Sequence, residues 1–147
     1  MLRVTKIFHF EMAHAIHGYA GPCKNIHGHS YELYVTVAAA NDTDDYIPTP
    51  GFVIDFKDIK KLVNNSVIEY FDHKLVLSRD FLAENPSFAT AKNLVTWDAE
   101  PTAENLLLFM KGALCTKFSD DIMLFQLKLY ETKDSYAEWI NDNNFIG

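Results

Sequence analysis

His27-Gly28-His29 places two imidazoles two residues apart, with Cys23 four residues ahead of the first. In an extended strand, positions i and i+2 share a face. His27 and His29 therefore point the same way, and Gly28 leaves the opposite face bare. The parity continues through Tyr31, Leu33, Val35 and Val37, while Ser30, Glu32 and Thr36 take the other side. That alternation predicts a strand with the histidine pair on its apolar face. A buried imidazole needs a partner, and two on one face suit a shared metal ion, with zinc the leading candidate. His14 offers a third ligand. It ends another apolar series, Val4, Phe8, Phe10, Met12 and His14, which Lys6 interrupts near its exposed start. When the two strands pair, all three imidazoles meet at one end of the sheet. Three histidines with no fourth protein ligand are the arrangement of a catalytic zinc, whose open position takes water or substrate. A hydrogen bond explains any one strand histidine equally well. It does not explain the set of three. His17, three residues after His14, is a rival ligand only if that stretch is helical.

Cys23 has two functional readings. Beside a cation its thiol ionises more readily, which suits a general base or nucleophile. Alternatively it is a fourth zinc ligand and closes the site as a structural one. Glu131 stands out because it continues the parity of Met123, Phe125, Leu127 and Leu129. A carboxylate there either emerges at a strand end or is kept in a pocket that supplies donors. The N–H edge of a flat heterocycle is one such pair of donors. Asp72-His73 follows a helix, where an aspartate can orient an imidazole, or where a histidine simply meets the negative helix end.

The composition narrows the classes. The chain has 147 residues, 48% hydrophobic and 14% aromatic, which predicts one globular domain, 1–147. A formal net charge of −7 argues against a nucleic-acid partner. No membrane-length apolar run or signal peptide is visible, which predicts a cytoplasmic protein with no membrane partner. Cys23 and Cys115 are then free thiols, and the Asn41-Asp42-Thr43 and Asn64-Asn65-Ser66 sequons are chance matches.

The elements that must hold these residues follow. The first strand runs roughly from Leu2 to Ala13, and residues 15–22, with Gly18, Gly21 and Pro22, form a loop. The second strand runs from His27 to Ala40, and a turn-rich connection leads to Gly51. Asp55 caps a helix from Phe56 to Phe71, with Ile59, Leu62, Val63, Val67 and Tyr70 on its apolar face. The stretch from Leu75 to Trp97 reads as a long excursion with one turn of helix. Thr102 caps a second helix with Glu104 in its first turn and Cys115 near its end, in the core or on the helix surface. Strands from Ile122 to Glu131 and from Tyr136 to Ile140 complete the chain. The order β-β-α-α-β-β predicts an α+β fold: a four-stranded antiparallel sheet with both helices on one face. Its open edges predict self-association.

Taken together, Phe10-Glu11-Met12-Ala13-His14, Cys23-x3-His27-Gly28-His29, Asp55-Phe56, Asp72-His73, Pro101-Thr102-Ala103-Glu104-Asn105 and Glu131-Thr132 resemble the 6-pyruvoyl-tetrahydropterin synthase / 6-carboxy-tetrahydropterin synthase family. The motifs span nearly the whole chain in the family's order. The resemblance implies a tunnelling fold, trimers stacked into homohexamers, and sites between subunits. It implies zinc on His14, His27 and His29, and 7,8-dihydroneopterin triphosphate as substrate. It implies Cys23 as proton acceptor, His73 supported by Asp72 as relay, and Glu131 as anchor of the pterin ring and possible member of the relay. Thr102 and Glu104, within their motif, are implied to bind substrate.

Two branches of the family differ in product. The queuosine branch makes 6-carboxy-tetrahydropterin and releases acetaldehyde and triphosphate. The biopterin branch eliminates triphosphate to give 6-pyruvoyl-tetrahydropterin. The three residues between Cys23 and His27 resemble the shorter spacing of the queuosine branch. A zinc-stabilised pterin-binding or assembly module without chemistry is the alternative of another class. Lys24, Lys74 and Arg79 flank the motifs as candidate cations for a triphosphate.

Overall fold

A computed structural model describes residues 1–41 and 45–144 of the chain. Asp42 and Thr43 of the first sequon lie outside the described residues. Strand β1 (Arg3–His14) pairs antiparallel with β2 (His27–Ala39) along its whole length. Phe8, Phe10 and Met12 are buried from β1, and Tyr31, Leu33, Val35 and Val37 from β2, as the alternation requires. Arg3, Thr5, Ile7, His9 and Glu11 occupy the exposed face.

The helical run from Phe56 to Phe71 is present, although not uniform. It consists of α1 (Phe56–Val63), a π-helical turn (Asn64–Ile68) and α2 (Glu69–Phe71). The Asp55 carboxylate accepts from the Lys57 amide at 2.9 Å, and Asp58 faces the positive end of the helix dipole. Ile59, Val63, Val67 and Phe71 pack into the main core. Helix α4 (Ala103–Leu114) adds Leu106, Leu107, Met110 and Leu114 to the same core. Both long helices thus cover the face that carries the histidines. Cys115 ends α4 and is exposed, with its thiol directed at the Gly112 carbonyl.

Four expectations need correction. The sheet has six strands, in the order β4 (Leu94–Trp97), β3 (Lys74–Ser78), β1, β2, β5 (Ile122–Thr132), β6 (Ser135–Ile140). The excursion after Leu75 contains β3 (Lys74–Ser78), α3 (Arg79–Glu84) and β4 (Leu94–Trp97). The sheet is mixed, since β3 runs parallel to both β1 and β4. Short parallel strands buried on both faces lack alternation, so Leu75-Val76-Leu77 carries no period of two. Phe81 forms a second, smaller core with Ala15, Leu75 and Leu77 on the reverse side of β3.

The fourth correction concerns β5 (Ile122–Thr132), which pairs with β2 and with β6 (Ser135–Ile140). A register shift between Thr36 and Val37 breaks the expected alternation. Leu124, Leu127 and Leu129 enter the core, whereas Phe125 lies under the Arg3 guanidinium, 4.7 Å from its ring centroid. A bulge turns a strand by one residue and exchanges its faces.

Candidate metal centre and substrate cavity

The end of the β1–β2 ladder brings the three histidines together. His14 and His27 are directly paired, and His29 stands opposite Met12. One ligand atom from each ring falls within 4.8 Å of the others. His17 is elsewhere, its amide bonded to Glu100 and its ring 3.6 Å from Glu84.

The hydrogen bonds fix the tautomers. His14 Nδ1 lies 2.7 Å from the Pro101 carbonyl, and His27 Nδ1 lies 2.8 Å from the Asn25 carbonyl. A carbonyl only accepts, so both Nδ1 atoms carry the proton. In the neutral rings each Nε2 then presents a lone pair, and the two Nε2 atoms face each other at 3.1 Å. Lone pairs at that distance repel unless a cation lies between them. His29 Nε2 is buried without a hydrogen-bond partner, although Glu131 Oε1 lies 3.4 Å away. A tetrahedral zinc with Zn–N bonds of about 2.0–2.1 Å holds its nitrogens at comparable spacing. The donor set therefore fits a metal ion. The Pro101 and Asn25 carbonyls are outer partners of the kind that orient histidine ligands.

Burial holds the pKa of His14 below the ordinary imidazole value; the Pro101 carbonyl and Glu131 pull it upward, and the neighbouring rings push it down. His29 is lowered mainly by burial as well, with Glu131 opposing and His27 adding. Both rings therefore favour the neutral form that binds metal. The metal-free protein should accordingly lose stability as pH falls below 6.5, the unshifted imidazole value. There the unfolded chain takes up protons that the folded cluster refuses, so stability rises with pH, and the loss levels off below the folded-state pKa. Denaturant midpoints of chelator-treated protein across that window should fall with acid, less steeply in His29→Gln. An equal slope in the variant would contradict the assignment.

A cavity of about 300 Å3 opens beside the cluster, lined by His14, Cys23, Thr102, Glu104 and Glu131, with Ile16, Tyr19 and Tyr136 among its other walls. Cys23 lies in a 3-10 turn (Pro22–Lys24), half-buried, its carbonyl accepting from the Ile16 amide at 2.8 Å. A side chain on Gly21 would collide with the Tyr19 ring, so this glycine lets Tyr19 fold back over the turn. Thr102 caps α4, its hydroxyl accepting from the Asn105 amide at 3.2 Å, and Glu104 is in the first helical turn. Glu131 sits where the β5–β6 register shifts between Tyr130 and Thr132. Such a bulge re-aims a side chain.

Asp72 and His73 do not line this cavity. His73 borders a separate hollow with Glu11, Ser30, Lys74 and Asn93. Asp72 Oδ1 accepts from the Glu11 amide at 2.9 Å and lies 3.0 Å from His73 Nδ1. His73 has φ of 62°, a left-handed conformation held by its amide's bond to the Glu11 carbonyl. Its side chain is 79% exposed. Of the flanking cations, Lys74 borders that second hollow, and Arg79 is bonded to Asp98 at 2.6 Å. None of the three lines the cavity. Tyr19 and Tyr136 gave no signal in the sequence, because loop and edge-strand aromatics have no pattern that marks a cavity wall.

These features define a class: an α+β protein with a three-histidine cluster able to hold a metal ion beside a small-molecule cavity. Residues 3–141 match the 6-pyruvoyl tetrahydropterin synthase family, and the chain belongs to that family. A 6-carboxy-5,6,7,8-tetrahydropterin synthase of Rickettsia typhi is 34% identical over 142 residues, 94% of this chain and 99% of that protein. The protein of the same name from Haemophilus influenzae is 29% identical over 143 residues, 95% and 99% of the two chains. The structure of Caenorhabditis elegans 6-pyruvoyl tetrahydropterin synthase superposes with a TM-score of 0.67 over 95% of each chain, at 22% identity, which is a likeness of fold. Family and whole-length relatives make this chain an enzyme of the lyase type. No helix among the described residues is long and apolar enough to cross a membrane.

Proposed function

We propose that the enzyme converts 7,8-dihydroneopterin triphosphate to 6-carboxy-5,6,7,8-tetrahydropterin, with release of acetaldehyde and triphosphate, a step toward queuosine. The names of the whole-length relatives support this product. The observation that carries the metal-dependent chemistry is the pair of Nε2 lone pairs facing each other at 3.1 Å, which calls for a cation, here zinc. When bound, zinc supplies a Lewis acid that polarises the hydroxyls of the substrate side chain.

The chain's own residues do the rest. Glu131 accepts from the N–H edge of the pterin, a bidentate, charge-assisted contact. Thr102 and Glu104, which line the same cavity as Cys23, border the ring. The Cys23 thiolate takes the proton from the side-chain carbon. Asp72 and His73 act as relay in the cavity of a neighbouring copy, which accounts for the position of His73 at a second hollow of its own subunit, with Asp72 beside it. The edge strands β4 and β6 are available for that association, and a homohexamer is the assembly it builds.

The deciding experiment incubates purified protein with the triphosphate and assays acetaldehyde and the pterin product together. Acetaldehyde and 6-carboxy-tetrahydropterin in equal amounts are expected. Triphosphate release with a 6-pyruvoyl product and no acetaldehyde would move the enzyme to the biopterin-type reaction. Pterin bound without turnover would make it a binding module.

A further inference from the structure

Glu131 raises a problem for an open metal site. Its Oε1 lies 3.4 Å from His29 Nε2. A cation on the three imidazoles therefore has a carboxylate within reach as fourth ligand, and a site closed in that way has no position left for substrate. The carboxylate must be held aside by a donor.

Tyr31 has the chemistry and the placement for this. It is fully buried, and its hydroxyl has no hydrogen-bond partner. Buried hydroxyls are rarely left so, and an exception calls for a reason. The ring is fixed on three sides. It stacks on Phe10 with centroids 4.9 Å apart and packs edge-on to His29 at 5.5 Å and His14 at 6.3 Å. The β2–β5 ladder ends at Glu32 and Tyr130. Continuing that register by one residue sets Glu131 across from Tyr31, on the face that carries the histidines. Cross-strand neighbours of this kind are within side-chain reach. The bulge at Glu131 frees its side chain to turn between the two partners.

We propose that Tyr31 is a positioning residue: its hydroxyl donates to the Glu131 carboxylate and keeps it off the metal, so that the fourth position stays open and the carboxylate faces the cavity. This rests on the metal-bound reading given above. The phenol touches neither substrate nor metal in this role.

The test uses the full chain with cobalt in place of zinc and azide as the probe of the open position, read from the visible spectrum. Wild type should bind azide. Tyr31→Phe should bind it about ten-fold more weakly or worse, the loss expected when a charge-assisted hydrogen bond is removed and the freed carboxylate competes. Tyr31→Phe combined with Glu131→Gln should restore azide binding to within about two-fold of wild type, a rescue that a packing defect would not show. The thermal midpoint of metal-free Tyr31→Phe should equal or exceed that of wild type, because the hydroxyl is unpaired in the metal-free fold and pairs with Glu131 only once the metal is bound. Azide binding by Tyr31→Phe equal to wild type, failure of the double variant to rescue, or collapse of the Phe variant would each overturn the proposal. A wild-type cobalt protein with no azide response would instead overturn the open metal site itself.

Discussion

Replacing Cys23 with alanine should reduce turnover by about 10²–10⁴-fold, the range for removal of a general base, while the metal stays bound. The cysteine shares the cavity with His14 and Glu131. Its sulfur is nevertheless outside the group of ligand atoms that converge within 4.8 Å, which among the described residues contains the three histidines alone. A half-buried thiol on a short turn can reach a bound substrate without first leaving a metal ion. Metal content by mass spectrometry and turnover should therefore separate cleanly in this variant. If metal leaves together with Cys23, and the cobalt protein loses a thiolate charge-transfer band, the cysteine is a fourth ligand and the site is a closed, structural one.

His27→Ala should have a comparable effect by another route. Loss of an outer partner of a ligand costs 10–100-fold in metal affinity, and loss of the ligand itself should exceed that. Purified His27→Ala should carry a small fraction of the wild-type metal, and activity should fall with it. The substitution also removes one of the two opposed lone pairs, so metal-free His27→Ala should fold without penalty at the strand end. His17→Ala, whose ring lies beside Glu84, should keep its full metal content. Equal metal in wild type and His27→Ala would dismiss the cluster as the binding site.

The cluster was legible because a strand has an exact period. Once His27, His29 and Tyr31 share a parity with Leu33 and Val35, only the pairing with β1 remains to be found, and Met12 and His14 supply it. The helices were legible from their caps, Asp55 and Thr102, and from their apolar faces. The β3–β4 segment was not, since a strand buried on both faces has no polar side to set its period. Leu75-Val76-Leu77 therefore looks the same as a piece of core helix. The shift at Thr36 and the bulge at Glu131 were hidden for a related reason: each depends on how two strands meet, which neither strand encodes alone. Carbonyl partners such as Asn25 and Pro101 are invisible too, because every residue has a carbonyl and only the fold decides which one an imidazole finds.

The bond from His14 to the Pro101 carbonyl spans 87 residues of chain, whereas the contact from His14 to His27 spans 13. The three imidazoles all come from a single local pairing, which closes a short loop and can form early. The groups that orient and complete them, Pro101 and Glu131, arrive from distant sequence and must wait for α4 and β5 to dock. The ligand set is thus local in sequence, while the groups that orient it are distant and depend on the docking of later elements.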